Sequence, residues 1–253
     1  MERLEATALE LQSRLCIGLD PVVDQLETAK LIVRSTTGLV CAYKVNLAFW
    51  EDTRELVQLL DYIRSTTDAL IIADAKQTDI GPSGEAYASR FWDRYNFDAV
   101  TMSPYMGYDS ILPFIHPDKL VLLLCKTSNP SSGALQDLWI EHPEHGNLVS
   151  MYMYVAQLAN LWGTGVVVGA TYPHIVKEIR DAYPDLFMLI PGVGAQGGGV
   201  NLDIDDNYII SVSRSIMNSD NIRLAAERYM NEANSNNTSS NLSLCSHPDL
   251  RSS

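Results

Sequence analysis

The sequence predicts an α/β protein, a (β/α)8 TIM barrel built as a single domain. Three observations predict it: eight short β-rich apolar runs, amphipathic helical patterns between them, and a length of 253 residues without a break in composition. Eight strand–helix units in about 250 residues match such a barrel. Several runs are apolar at successive positions, as parallel strands covered on both faces require. An open doubly wound sheet gives the same alternation and is the rival architecture. Hydrophobic residues make up 46% and charged residues 19%, a globular composition. A chain of this length buries a sizeable core without disulfides or a structural metal.

The strands are expected at 15–19 (LCIGL), 39–45 (LVCAYKV), 69–73 (ALIIA), 98–102 (DAVTM), 119–124 (KLVLLL), 165–169 (GVVVG), 186–190 (LFMLI) and 208–212 (YIISV). Between the second and third, residues 53–65 (TRELVQLLDYIRS) place Leu56, Leu59, Leu60 and Ile63 at helical spacing. Residues 84–95, 150–162 and 172–183 read as helices in the same way, and 221–232 (NIRLAAERYMNE) closes the series. The longest connection, 128–147 (SNPSSGALQDLWIEHPEHGN), is rich in turn formers. The barrel domain is expected over 1–233, followed at 234–253 by a polar, Ser- and Asn-rich tail of disordered character.

Charge and composition exclude several classes. There are 18 Lys and Arg against 31 Asp and Glu, a net charge of −13, and a pI near 4.7. A general nucleic-acid binder would show a basic face instead, whereas an anionic small molecule needs only local positive charge. No apolar run approaches the roughly 20 residues of a membrane span. The opening MERLEATALELQSRL lacks the apolar core of a signal peptide. Cys16, Cys41, Cys125 and Cys245 are widely spaced and read as reduced cysteines of a cytoplasmic protein. The five histidines share no ligand spacing, and His142 and His145 read as solvated loop residues, so no metal site is expected.

In a barrel the chemistry sits at the C-terminal ends of the strands. Asp74, Lys76 and Asp79 form the densest charge cluster there. Asp74 and Lys76 are two apart, so on one strand they share a face. A carboxylate beside a lysine keeps it protonated, and a positioned ammonium acts as a general acid. A surface ion pair would look the same in sequence. Lys44, ending an apolar strand, either snorkels outward or reaches into the mouth. Asp20 before proline also suits a simple turn. The segment PGVGAQGG (191–198) has the glycines that let backbone N–H groups approach an anion. With Arg214 one strand later it falls where barrels build phosphate sites, although such a loop is often only a flexible turn.

The segment 74–80 (DAKQTDI) resembles the D-x-K-x-x-D-I signature of the orotidine 5′-phosphate decarboxylase family. GLDP (18–21), YKVN (43–46), MSPYMG (102–107), KTSNP (126–130), PGVGAQGG (191–198) and VSRSI (212–216) occur in that family's order. They look most like its second, bacterial subfamily, over roughly residues 14–230. The resemblance implies conversion of orotidine 5′-monophosphate to uridine 5′-monophosphate and CO2, in pyrimidine biosynthesis, without metal or organic cofactor. It implies that Lys76 gives a proton to pyrimidine C6, with Asp74 beside it. It implies a homodimer in which Asp79 completes the neighbouring subunit's site. Asp20 and Lys44 would hold the ribose hydroxyls. Thr127 and Ser128 match the segment that contacts the pyrimidine. Gly192, Gly194, Gln196 and Arg214 match the phosphate grip.

This chain departs from the subfamily at four places. Gln77 and Thr78 stand where Arg and Gly are common, Ser83 where threonine is frequent, and Ser213 where many members have glycine. Two other readings stay open. A magnesium-dependent sugar-phosphate decarboxylase or aldolase of the same superfamily would need an acidic ligand after the second strand, where this chain has Lys44 and Asn46. A non-catalytic nucleotide-phosphate binder would have no need of Asp74, Lys76 and Asp79.

Overall fold

The computed structural model describes residues 2–21, 23–194, 197–199, 202, 204 and 206–235. Its elements begin with α1 (Glu2–Glu10), β1 (Leu15–Leu19), α2 (Gln25–Thr36), β2 (Ala42–Asn46), α3 (Thr53–Thr66), β3 (Leu70–Asp74), α4 (Gly81–Ser89) and β4 (Ala99–Met102). There follow α5 (Tyr108–Ile111), β5 (Leu120–Lys126), α6 (Gly133–Gln136), β6 (Trp139–Glu141), β7 (Leu148–Ser150) and α7 (Met151–Leu161). The chain continues with β8 (Gly165–Val168), α8 (Pro173–Ala182), β9 (Met188–Pro191), β10 (Tyr208–Val212), α9 (Arg214–Met217) and α10 (Ile222–Ser235). Eight strands close a barrel in the order β1-β10-β9-β8-β5-β4-β3-β2, and every pairing in it is parallel.

Strand alternation sorts the side chains into two cores. Cys16, Ala42, Leu70, Ile72, Ala99, Leu122, Val167, Phe187, Leu189 and Ile209 form one cluster, the filling of the barrel. Their strand neighbours, such as Ile17, Tyr43, Val45, Ile71 and Ile210, join a larger cluster with Ile32, Leu59, Ile63 and Ile179 of the helices. The period-two pattern thus continues upward: Lys44 follows Ala42, Asp74 follows Leu70 and Ile72, and Thr101 follows Ala99. The apolar filling stops where the polar residues begin, and that boundary is the floor of the site.

The helix expected at 53–65 forms, with Asp52 accepting from the Arg54 N–H at 2.7 Å and Leu56, Leu59, Leu60 and Ile63 buried. The expected helix at 84–95 starts earlier, at Gly81, and ends in one wide turn, Arg90–Arg94. Helix α2 was not expected from the sequence; its buried face is Ala29, Ile32, Val33 and Thr36. The long connection contains the antiparallel hairpin β6–β7, and this corrects the reading of His142 as solvated. His142 is buried. Its Nδ1 accepts from the N–H groups of Glu144 at 3.1 Å and His145 at 3.2 Å, which leaves its Nε2 to donate to Gln157 Oε1 at 2.8 Å. His145 is exposed, as expected. Asn234 and Ser235, assigned to the tail by sequence, end helix α10. Asn234 donates to Gln12 O at 2.6 Å and accepts from the Arg14 N–H at 3.3 Å, tying the helix to the start of β1. The rest of the tail, with Cys245 and His247, lies outside the described residues.

Gly165 begins β8 at a crowded point of the wall. A Cβ there would lie 2.8 Å from Phe187 O and 2.9 Å from Leu122 Cδ2. The carbonyl is backbone, held by the Val166 N–H at 2.9 Å, and cannot step aside. Gly165→Ala is therefore expected to lower unfolding free energy by about 1–3 kcal/mol, read from urea midpoints at unchanged slope.

Candidate active site

Asp74 is the last residue of β3 and sits at the centre of the barrel mouth. Its Oδ2 accepts from Lys44 Nζ at 2.8 Å, and its Oδ1 accepts from Lys76 Nζ and, at 2.9 Å, from Thr101 Oγ1. Lys44 and Asp74 are almost enclosed, with side chains 8% and 10% exposed, whereas the Lys76 side chain is 48% exposed. The register sets this up: Lys44 pairs with Ile72 and Asn46 with Asp74, so Lys44 projects from the adjacent strand one step below Asp74. Lys44 therefore reaches into the mouth rather than outward.

Asp74 and Lys76 meet, but not as two residues on one strand face. The strand ends at Asp74, and Lys76 has a left-handed backbone with φ 52°. That conformation costs a non-glycine residue of order 1 kcal/mol or more. It is held from both ends: the Lys76 N–H donates to Thr101 O at 2.8 Å and Oγ1 at 3.2 Å, and the ammonium is held by Asp74. Thr101 thus supports both members of the pair. The sequence reading missed it, although its signal is visible as a lone hydroxyl at an inward position of an apolar strand.

Burial opposes the charge on both enclosed groups, and the partners overcome it. Desolvation alone would raise the Asp74 carboxyl, but the charges and hydrogen bonds of Lys44 and Lys76 hold it well below the usual carboxylate range. Desolvation alone would lower Lys44, but Asp74 and Asp20 hold it above its ordinary value. Asp20 follows β1, and its Oδ1 is buried without a hydrogen-bond partner among the described residues. A Cβ on Gly18 would lie 1.9 Å from Ser213 Oγ and 3.2 Å from Asp20 Oδ2, so the glycine is what lets these side chains converge.

The remaining expected residues that are described follow the C-terminal ends of β3, β5, β9 and β10. The Thr127 N–H donates to Gln136 Oε1 at 2.9 Å, and its hydroxyl donates to Asn129 Oδ1 at 2.6 Å. Ser128 packs against the backbone at Gly169, where a Cβ would lie 3.2 Å from Ser128 Cβ. Gly192 and Gly194 have φ 92° and 78°, so both positions favour glycine. The Gly194 N–H donates to Gly198 O at 3.0 Å, and the Gly197 N–H to Gly194 O at 2.8 Å, so the loop is folded on itself. Gln196 lies outside the described residues. Arg214 is exposed at the start of α9 and lines a cavity of about 550 Å³ with Asp20, Pro21, Val23, Thr28, Phe49, Met217 and Asn218. Asp79 is half-buried and accepts from the Ile80 N–H at 2.8 Å. Among the described residues it pairs with no cation and is not brought to the Lys76 of its own chain. Among the described residues no group of three His, Cys, Asp or Glu is arranged to hold a metal ion.

Comparison with known proteins gives one answer throughout. The model of the orotidine 5′-phosphate decarboxylase / HUMPS family matches residues 13–229. The chain is 38% identical to the orotidine 5′-phosphate decarboxylase of Herpetosiphon aurantiacus over 241 residues, covering 86% of this chain and 88% of that one. Among solved structures it is similar to Leishmania donovani OMP decarboxylase, with TM-score 0.84 and 33% identity over 94% of this chain and 98% of that one. It is also similar to L. donovani UMP synthase, TM-score 0.84 and 34% identity, but covers 93% of this chain and only 56% of that one.

The shared carboxylate makes stability depend on acid. The folded value of Asp74 lies below its ordinary 3.8, so its ionisation contributes stability above pH 3.8 and the contribution is lost as pH falls through the lowered value. Near neutral pH, Asp74→Asn is expected to cost about 3–5 kcal/mol, because it leaves Lys44 buried beside a neutral group. In urea unfolding, the gap between wild type and variant should hold above pH 3.8 and close below it. A gap constant down to pH ~2 would show that ionisation of Asp74 is not its cause.

Proposed function

The chain belongs to the orotidine 5′-phosphate decarboxylase family, its activity is the decarboxylation of orotidine 5′-monophosphate to uridine 5′-monophosphate in pyrimidine biosynthesis, and we propose which residues carry it. The observation behind the proposal is the chain Lys44–Asp74–Lys76 at the barrel mouth, with one lysine enclosed and the other open to a ligand. Breakage of the bond between C6 and the carboxylate releases CO2 and leaves the electron pair on C6. The Lys76 ammonium stabilises that pair, then donates its proton to C6 and becomes a neutral amine, which recovers a proton from solvent. Asp74 keeps the ammonium charged and aimed before reaction.

Substrate binding surrounds this centre. Asp20 Oδ1, buried and without a hydrogen-bond partner among the described residues, is an acceptor for a ribose hydroxyl, with Lys44 beside it. Ser128 and Thr127 contact the pyrimidine. Gly192, Gly194, Gln196 and Arg214 take the phosphate, and that grip lends remote binding energy to the reacting end. No metal or organic cofactor has a step in this scheme. The sugar-phosphate alternative is disfavoured by Lys44, whose ammonium is bound to Asp74 at the end of the strand where that chemistry needs an acidic ligand.

We assign Asp79 to the site of a second subunit in a homodimer. That it pairs with no cation among the described residues of its own chain supports this, as do Ile80, Tyr105, Met106 and Tyr108, exposed apolar residues that follow the adjacent strands β3 and β4. A cytoplasmic location fits Cys16, Cys41 and Cys125, buried and outside any disulfide among the described residues. No described helix is long and apolar enough to cross a membrane.

With excess EDTA present, the wild type is expected to consume orotidine 5′-monophosphate, followed by ultraviolet absorbance. Lys76→Ala should lose at least about 10²–10⁴-fold in kcat. Absence of turnover in the wild type would sink the assignment. Separately, Lys76→Ala and Asp79→Ala proteins, each nearly inactive, should recover activity when co-expressed, because a mixed dimer holds one complete site. A co-expressed sample no more active than its parents would place Asp79 in its own chain's site.

A further inference from the structure

A lysine outside the proposed chemistry is the most enclosed cation of the mouth. Lys126 ends β5 and its side chain is 1% exposed. A register shift in β5 between Leu124 and Lys126 sets its direction. Its Nζ lies 2.5 Å from Asp137 Oδ1 and 4.6 Å from the centre of the Tyr172 ring. The Tyr172 hydroxyl in turn lies 3.3 Å from Ser132 Oγ.

The two partners flank one loop. Lys126 precedes residues 127–136 and Asp137 follows them, so the ion pair closes the loop at its base. A second clasp lies just inside: the Thr127 N–H donates to Gln136 Oε1, and Gln136 Nε2 donates to Thr127 Oγ1, both at 2.9 Å. The Lys126 carbonyl accepts from the Gly169 N–H at 2.8 Å, which joins the same base to the residue after β8. Ser128 is caught between, against Gly169, where a Cβ would sit 3.3 Å from its N. An apolar side chain would fill the space of Lys126 equally well but would hold no carboxylate. Burying an ammonium gains little stability over such a residue. What the ion pair does is fix one arrangement of the loop before substrate arrives, and so remove an ordering cost from binding.

We propose that Lys126 is a positioning residue that, through Asp137, fixes Ser128 for the pyrimidine ring; this rests on the proposed contact between Ser128 and that ring. The part of binding that belongs to the base then depends on Lys126, and the part that belongs to the ribose phosphate does not. Calorimetric titration with uridine 5′-monophosphate and with ribose 5-phosphate separates the two. Lys126→Met removes the charge at similar volume, and Asp137→Asn keeps the shape of its partner and stands in should the first variant fail to fold.

In each variant, uridine 5′-monophosphate is expected to bind about tenfold more weakly, the scale of one hydrogen bond. Ribose 5-phosphate should change by less than about twofold. The double variant should be no weaker than either single one, because the two residues act as one unit. Equal weakening of both ligands would mark a merely structural role and overturn the proposal, as would unchanged affinity for uridine 5′-monophosphate. Failure of the wild type itself to bind uridine 5′-monophosphate would instead overturn the pyrimidine assignment, and the proposal with it.

Discussion

One carboxylate, Asp74, organises the mouth of the barrel. It bonds two lysines and a threonine at once. Lys44 depends on it, since a buried ammonium without a partner would lose its charge or unfold its surroundings. The left-handed turn at Lys76 also depends on it, because the ammonium it binds is one of the two anchors of that turn. The strand register is what makes the shared carboxylate possible. A one-residue slip between β2 and β3 would turn Lys44 to the helix side and put Tyr43 or Val45 in the mouth.

The same cluster explains how a protein with net charge −13 serves a substrate that bears two anionic groups, a carboxylate and a phosphate. Charges on the far surface are screened within about 10 Å at ordinary ionic strength. Inside the mouth the count is different: Lys44 and Lys76 balance Asp20 and Asp74, and Arg214 on the adjoining cavity wall adds positive charge. The field a ligand meets is set by these few enclosed groups. In the proposed scheme Arg214 and the glycine loop take the phosphate and Lys76 meets the reacting carbon, so the two ends of the substrate have separate recognition elements.

What the sequence shows and hides follows from the same physics. Both β1 and β10 run over the residues expected, because their apolar runs are bounded by polar residues on both sides. The strand ends were legible too, as Asp74, Lys76 and Lys44 stand out at the close of apolar runs. Helix α2 was hidden because its buried face rests partly on Ala29 and Thr36, which add little to a hydrophobic period. His142 was misread because its burial depends on the β6–β7 hairpin and on Gln157, more than a dozen residues away. Thr101 was missed for a related reason: its partners lie at the end of β3 and just beyond it, and only the pairing of β3 with β4 brings them together.

Three lysines lie in or just after the C-terminal parts of strands of this barrel, and in sequence they look alike. Burial separates them. Lys44 is enclosed beside an enclosed carboxylate, so its charge is fixed and cannot be spent on proton transfer. Lys126 is enclosed while its partner Asp137 is half exposed, so it acts as a tether for the loop that bears that partner. Lys76 alone combines an enclosed partner with an open ammonium. A general acid must be aimed by the protein yet reachable by the substrate. Of the three, only Lys76 pairs a half-exposed side chain with an enclosed carboxylate, and this asymmetry, more than the mere presence of Lys beside Asp, is what supports it as the proposed acid.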